Sequence, residues 1–198
     1  DFCLSRGLGD VYKRQPEINQ EEILKFLKER KDFLDGVCIT GGEPTIHKNL
    51  PEFLKKIKQL GFSIKLDTNG TNPETVEQLM KDKLIDYIAM DIKAPLDRYE
   101  EIVGTKVDLE KIKKNVELIR NSGLDYEFRT TITPGFFGDD DFVKIGKWLK
   151  GAKRFYLQQF QGIKTLDKKF VGKKPVSKEE LEKFCSILKP FIEHCEIR

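Results

Sequence analysis

The segment Gly36-Val37-Cys38-Ile39-Thr40-Gly41-Gly42-Glu43-Pro44-Thr45 constrains this chain more than any other stretch. A short, β-branched apolar run of this kind reads as a buried strand. It ends abruptly in two glycines, a carboxylate and a proline. Paired glycines at a strand end let the backbone come close to another group, because no side chain stands in the way. Glu43 adds a negative acceptor beside that bare backbone. A Gly-Gly-Glu-Pro in this position is far more specific than an ordinary turn signal, and the rest of the chain repeats its logic.

From Gln20 the pattern is regular. Ile23, Phe26, Leu27 and Leu34 recur at helical spacing, and Val37–Thr40 follows as a strand. Leu50, Phe53, Leu54, Ile57 and Leu60 mark an amphipathic helix with Pro51 in its first turn, where proline costs no hydrogen bond. Phe62–Asp67 alternates as a strand and runs into Thr68-Asn69-Gly70. The same reasoning predicts helices over about 73–81, from a cap at Asp108, and over about 139–149. It predicts strands over 87–92, 126–133 and 154–160. Ser177 and Glu180 form a capping box for a last helix bearing Leu181, Phe184, Cys185 and Leu188, and 193–197 reads as a short final strand. Residues 161–176 are basic and weakly patterned, as a surface loop would be.

Strand and helix therefore alternate throughout, which predicts an α/β fold with a parallel sheet and right-handed crossovers. Five strand ends fall near Thr40, Asp67, Asp91, Thr131 and Gln159, and polar residues gather at each. In a parallel α/β barrel, loops converge on a ligand at that edge. Residues two apart on a strand share a face, so Asp91 points with Lys93, and Glu127 with Arg129 and Thr131. Strands flanked by helices are normally apolar on both faces, so these charges must pair with one another or meet a ligand. Glu43, Asp67 and Asn69 belong to the same layer. Together, the acidic, basic and hydroxyl-binding groups suit a small zwitterion that carries hydroxyls.

Composition excludes several alternatives. The 198 residues fit one domain with a sizeable core, and 38% hydrophobic with 35% charged residues describe a globular chain. The 36 basic and 33 acidic residues nearly cancel, which argues against a nucleic-acid-binding stripe. No apolar run is long enough to span a bilayer and none has signal-peptide layout, so a cytoplasmic protein is expected. Cys3, Cys38, Cys185 and Cys195 form no C-x-x-C pair and match no zinc spacing, even with His194 beside Cys195.

The motifs Ile39–Thr45, Leu66–Gly70, Ala89–Lys93, Glu127–Thr131 with Pro134-Gly135, and Tyr156–Phe160 resemble the radical S-adenosylmethionine (SAM) enzymes. The resemblance covers Pro16 to the C-terminus and is greatest to the glycyl-radical-enzyme activases, in particular those of anaerobic ribonucleotide reductase. It implies a partial parallel β/α barrel of the TIM-like, six-stranded type that holds a [4Fe–4S] cluster and SAM. It further implies that Gly41, Gly42 and Glu43 hold the methionine ammonium, that Lys93 meets the carboxylate, and that Asp91 meets the ribose or a monovalent cation. Asp67, Thr68 and Met90 match positions around such a cation, Asn69 lies in the same turn, and Arg129 and Gln159 are candidates for the SAM-facing wall. In such enzymes the cluster reduces the sulfonium, and the resulting deoxyadenosyl radical takes a hydrogen from a glycine of the partner protein. Flavodoxin or ferredoxin is the implied electron donor.

One departure is severe. The C-x₃-C-x₂-C loop that ligates the cluster in that family is absent, and no spacing of the four cysteines replaces it. The loop normally precedes the segment that begins at Pro16. Residues 1–15 carry no period, and Asp10–Gln15 resembles the translation of a transposon adaptor used in sequencing libraries. The expectation is a non-native segment at 1–15 followed by a truncated core at 16–198, lacking its first β/α unit, with 161–198 a C-terminal extension. A cluster is then expected only in the full-length protein, and this fragment is expected to be inactive. Two alternatives remain open from the residues: another small radical SAM enzyme making a cofactor or modified base, and a non-catalytic binding barrel.

Overall fold

The computed structural model of the protein describes residues 18–162 and 171–198. The segment 1–15 and part of the expected 161–176 loop lie outside the described residues. Six strands, β1 (Gly36–Ile39), β2 (Ser63–Thr68), β3 (Tyr87–Asp91), β4 (Asp125–Ile132), β5 (Arg154–Gln159) and β6 (His194–Ile197), form one sheet in chain order. The pairs β1–β2, β4–β5 and β5–β6 are parallel, with Gly36 opposite Ser63, Arg129 opposite Tyr156, and Arg154 opposite His194. The connections carry helices α1 (Gln20–Glu29), α2 (Leu50–Gln59), α3 (Pro73–Lys81), α4 (Tyr99–Val103), α5 (Leu109–Arg120), α6 (Asp139–Trp148) and α7 (Lys178–Leu188). This is an open sheet of six parallel strands with helical crossovers, consistent with a partial TIM-like barrel. Among the described residues no helix is long and apolar enough to cross a membrane.

Helix α4, with a 3₁₀ turn at Leu96–Arg98 before it, is absent from the sequence expectations. Five residues give no room for a helical period to show itself.

The chain divides into two compact units. Among the described residues, the first comprises 18–89 and 110–126. Its core joins Leu54 and Ile57 of α2, Ile64 and Leu66 of β2, Val76 and Leu79 of α3, and Ile112 and Ile119 of α5, all fully buried or nearly so. Side chains of this size each stabilise the fold by about 2 kcal/mol through burial. The polar residues of β2, Lys65 and Asp67, take the opposite face because strand side chains alternate.

Among the described residues, the second unit holds 90–109, 127–162 and 171–198. Its core joins Phe128 and Ile132 of β4, Phe155 and Leu157 of β5, and Phe142, which stacks on Phe184 of α7 with ring centroids 4.3 Å apart.

Gly36 shows how tightly β1 is seated. A Cβ at this position would stand 2.7 Å from the carbonyl oxygen of Ser63, a backbone atom fixed in β2. Gly36→Ala is therefore expected to destabilise the protein by about 1–3 kcal/mol, as overpacking does elsewhere. A urea titration that gives an unchanged midpoint for Gly36→Ala would contradict this seating.

Candidate functional site

The turn after β1 is organised by Glu43. Pro44–Ile46 forms a 3₁₀ turn, and Glu43 caps it by accepting the Thr45 N–H at 3.2 Å. The same oxygen, Oε1, accepts the Thr45 hydroxyl at 2.5 Å and the Thr68 hydroxyl at 2.8 Å. Oε2 accepts the Asn69 N–H at 2.6 Å. Asn72 Nδ2 donates to Thr45 Oγ1 at 3.0 Å, and the Gly70 N–H donates to Thr68 Oγ1 at 3.1 Å. Glu43 is only 4% exposed. Its carboxylate thus fastens the end of β1 to the end of β2 through four hydrogen bonds, charge-assisted and individually stronger than neutral ones.

This arrangement changes the part that Glu43 can take. The sequence reading sets its carboxylate against a ligand ammonium, whereas in the structure both oxygens accept donors of the chain itself. The backbone ahead of it is what faces outward. Gly41 and Gly42 have φ of +93° and +52°, conformations that side chains rarely adopt. A Cβ on Gly41 would meet nothing within 4 Å. A cavity of about 300 Å³ adjoins this turn, lined by Ile39, Thr40, Gly41, Pro44, His47 and Asn49 and by Gln20 and Ile23 of α1 and Leu50 and Phe53 of α2.

In the second unit, Asp91 is the centre. Lys93 Nζ lies 2.7 Å from its Oδ2, and Arg129 Nε donates to its Oδ1 at 2.5 Å. The side chains of Asp91, Lys93 and Arg129 are 24%, 20% and 14% exposed. Burial pushes the Asp91 carboxyl upward, but Lys93 and then Arg129 outweigh it and hold the group below its ordinary value. Backbone bonds fix the turn that follows β3. The Ile92 N–H donates to the Arg129 carbonyl at 2.8 Å, and the Thr130 hydroxyl donates to the Ile92 carbonyl at 2.5 Å. The Lys93 N–H donates to the Tyr99 hydroxyl oxygen at 3.3 Å. Further along the same face of β4, the buried Glu127 accepts from Arg198, whose guanidinium lies 3.3 Å over the Tyr156 ring.

Several sequence-predicted residues fall in places the sequence does not reveal. Asp67 lies 3.7 Å from Lys65, and Asp91 has two cationic neighbours. Both carboxylates expected near a monovalent cation thus have counter-charge from this chain. Met90 points to the other face of β3 from Asp91 and is fully buried. Gln159 pairs in register with Ile132, on the face opposite Arg129, and its amide donates to the Val176 carbonyl at 2.7 Å. Gln158, opposite Thr131, takes the Arg129 face. The sequence reading passes over Thr45, Asn72 and Tyr99. Threonine and asparagine around a known strand end were the available signal for the first two. Tyr99 reads as an ordinary core aromatic.

Among the described residues the cysteines do not assemble a cluster site. Cys38 is exposed on β1, Cys185 is buried on α7, and Cys195 lies on β6. Burial, and then the neighbouring Cys185, push the Cys195 thiol upward, the reverse of a metal-binding thiolate. Among the described residues no three His, Cys, Asp or Glu side chains are grouped to hold a metal. The described residues therefore do not fit a [4Fe–4S] cluster, and the backbone at Gly41 lies open beside the cavity.

Comparison with known proteins gives a consistent answer. The model of the radical SAM superfamily matches residues 1–149. A protein of Methanocaldococcus jannaschii, provisionally named a glycyl-radical enzyme activating enzyme, is 38% identical over 195 residues, spanning 88% of this chain and 81% of that protein. A provisionally named GTP 3′,8-cyclase of Pyrococcus abyssi is 35% identical over 118 residues, or 59% of this chain and 37% of that protein. Among solved structures, a domain of pyruvate-formate lyase-activating enzyme from Bacteroides vulgatus has the same fold, with a TM-score of 0.66. It is 23% identical, and the match covers 82% of this chain and 98% of that domain.

Proposed function

The chain belongs to the radical SAM superfamily, and from that premise we propose that it is the SAM-binding part of an activating enzyme for a glycyl-radical enzyme. The observation that carries this reading is the left-handed Gly41–Gly42 backbone beside an open cavity, held in place by a carboxylate that accepts four hydrogen bonds from the chain. Backbone carbonyls of this turn would accept the methionine ammonium, and Glu43 would act by fixing the turn. In the second unit, Lys93 would meet the methionine carboxylate, with Asp91 holding the Lys93 ammonium in place and Arg129 in turn holding Asp91. Asp91 also remains the candidate for the ribose hydroxyls, and Asp67, Thr68 and Asn69 line the turn that Glu43 fastens.

Bound SAM would supply a reducible sulfonium and, through it, hydrogen abstraction from a glycine of the partner. The chain's own residues bind and orient the molecule. The motifs at Glu127–Thr131 and Tyr156–Phe160 favour an activase, and the protein substrate we favour from the resemblance is anaerobic ribonucleotide reductase, with flavodoxin or ferredoxin as electron donor. The relative provisionally named as an activase is matched over 81% of its length and the cyclase over 37%, which favours the activase over cofactor biosynthesis.

The cysteine set gives this reading a sharp consequence. Anaerobic reconstitution of this chain with iron and sulfide is expected to yield no stoichiometric [4Fe–4S] absorption or electron paramagnetic resonance signal. A stoichiometric cluster would overturn the reading that the cysteines of this chain do not ligate one. For a form carrying C-x₃-C-x₂-C, glycyl-radical formation on anaerobic ribonucleotide reductase with SAM and reductant is the expected activity. Failure with that substrate would point to another glycyl-radical enzyme.

A further inference from the structure

Tyr99 is placed where a phenylalanine would fill the same volume. It opens the short helix α4, it is 2% exposed, and its ring is part of the core. A buried tyrosine hydroxyl needs a hydrogen-bond partner, and leaving one unmet costs more than the bond itself returns. The partner in this case is the backbone N–H of Lys93, six positions earlier. The intervening turn is already fixed one residue upstream, where the N–H of Ile92 donates to Arg129 and its carbonyl accepts from Thr130. Lys93 is consequently held on one side through the sheet and on the other through Tyr99. Its Nζ is meanwhile drawn to Asp91 at 2.7 Å. Burial, foremost, pushes the phenol up to about 12, so the hydroxyl keeps its proton at any pH where the protein works.

We propose that the Tyr99 hydroxyl is a positioning group that fixes the Lys93 backbone so that its ammonium meets the carboxylate of a bound amino acid moiety. The inference rests on the SAM-binding reading and on the place of Lys93 in it. Tyr99 touches no ligand and acts only through Lys93.

The carboxylate provides a readout that a purely structural role would not move. S-adenosylhomocysteine carries the amino acid carboxylate, and 5′-methylthioadenosine lacks it. In equilibrium dialysis with the whole chain, Tyr99→Phe is expected to weaken S-adenosylhomocysteine roughly tenfold, about one hydrogen bond's worth, and to leave methylthioadenosine within about twofold. Lys93→Gln should show the same selectivity. The double variant should bind S-adenosylhomocysteine no more weakly than Lys93→Gln alone. Equal loss for both ligands with Tyr99→Phe, or additive loss in the double variant, overturns the positioning role while leaving the SAM reading intact. Binding of neither ligand by the unaltered chain, or a Lys93→Gln variant that fails to discriminate them, overturns the SAM reading itself. A measurement needing no variant guards against misfolding: the Lys93 amide should exchange slowly with solvent deuterium, and rapid exchange contradicts the bond on which the role depends.

Discussion

Replacing Glu43 by alanine is expected to lower the stability of the protein by about 4 kcal/mol, the combined effect of four hydrogen bonds to one buried carboxylate after allowance for their non-additivity. For a chain of this size that corresponds to a fall of roughly 10 °C in the thermal midpoint. The effect reaches beyond stability. The donors that Glu43 holds lie at Thr45, Thr68 and Asn69, so its loss releases the ends of β1 and β2 together. SAM affinity is expected to fall by more than tenfold, because the Gly41–Gly42 turn loses the anchor immediately following it. Glu43→Gln keeps the volume and one acceptor, and should fall between the two. Urea unfolding monitored by circular dichroism measures the first effect and calorimetric titration the second. A Glu43→Ala protein with wild-type stability would mean that the four bonds do not hold the turn.

Asp91→Asn gives the second large effect, and its dependence on pH identifies the cause. The substitution leaves Lys93 and Arg129 side by side without their common carboxylate. Breaking a buried charge cluster by removing one partner costs about 3–5 kcal/mol, and the partial exposure of these side chains brings the expectation to about 2–3 kcal/mol. The sign follows from linkage. The Asp91 carboxyl is held below its ordinary value of 3.8 in the folded protein, since Lys93 and Arg129 outweigh the upward push of burial. It therefore contributes its full stabilisation above that ordinary value, and loses it progressively as pH falls towards the lower value of the folded state. The stability gap between wild type and Asp91→Asn should be constant from about pH 5 to 8 and should narrow below about pH 4. Urea midpoints across that range test it. A gap that stays constant or widens in acid would show that the carboxylate charge is not what holds the cluster.

Much of the fold was legible in the sequence because each element announces itself locally. The apolar spacing of Leu54 and Ile57, the alternation of Ile64 and Leu66, and the cap at Ser177 depend on near neighbours alone. The exception, α4, was too short to carry a period. The site was legible as a set of residues at strand ends, but less so as directions. The run from Arg154 to Gln159 buries Phe155, Tyr156 and Leu157 in succession and ends in two glutamines, and nothing local says which of them joins Arg129. Only pairing with β4 sets Gln158 there and sends Gln159 to Val176. Glu43 poses the same difficulty over a longer range. The groups that turn its carboxylate inward, Thr68 and Asn69, lie 25 and 26 residues further along the chain. A strand-end motif therefore marks where a ligand approaches before it says which atoms receive it.

The central claim is that this chain binds SAM and that the Gly41–Gly42 turn receives it. Titration of isotopically labelled protein with SAM, followed residue by residue in amide nuclear magnetic resonance spectra, tests it most directly. The predicted result is saturable shifts at Gly41, Gly42 and Asn69 with one common affinity, which Glu43→Ala weakens. Saturation of shifts elsewhere with these three amides unmoved, or no shifts at all, would contradict it.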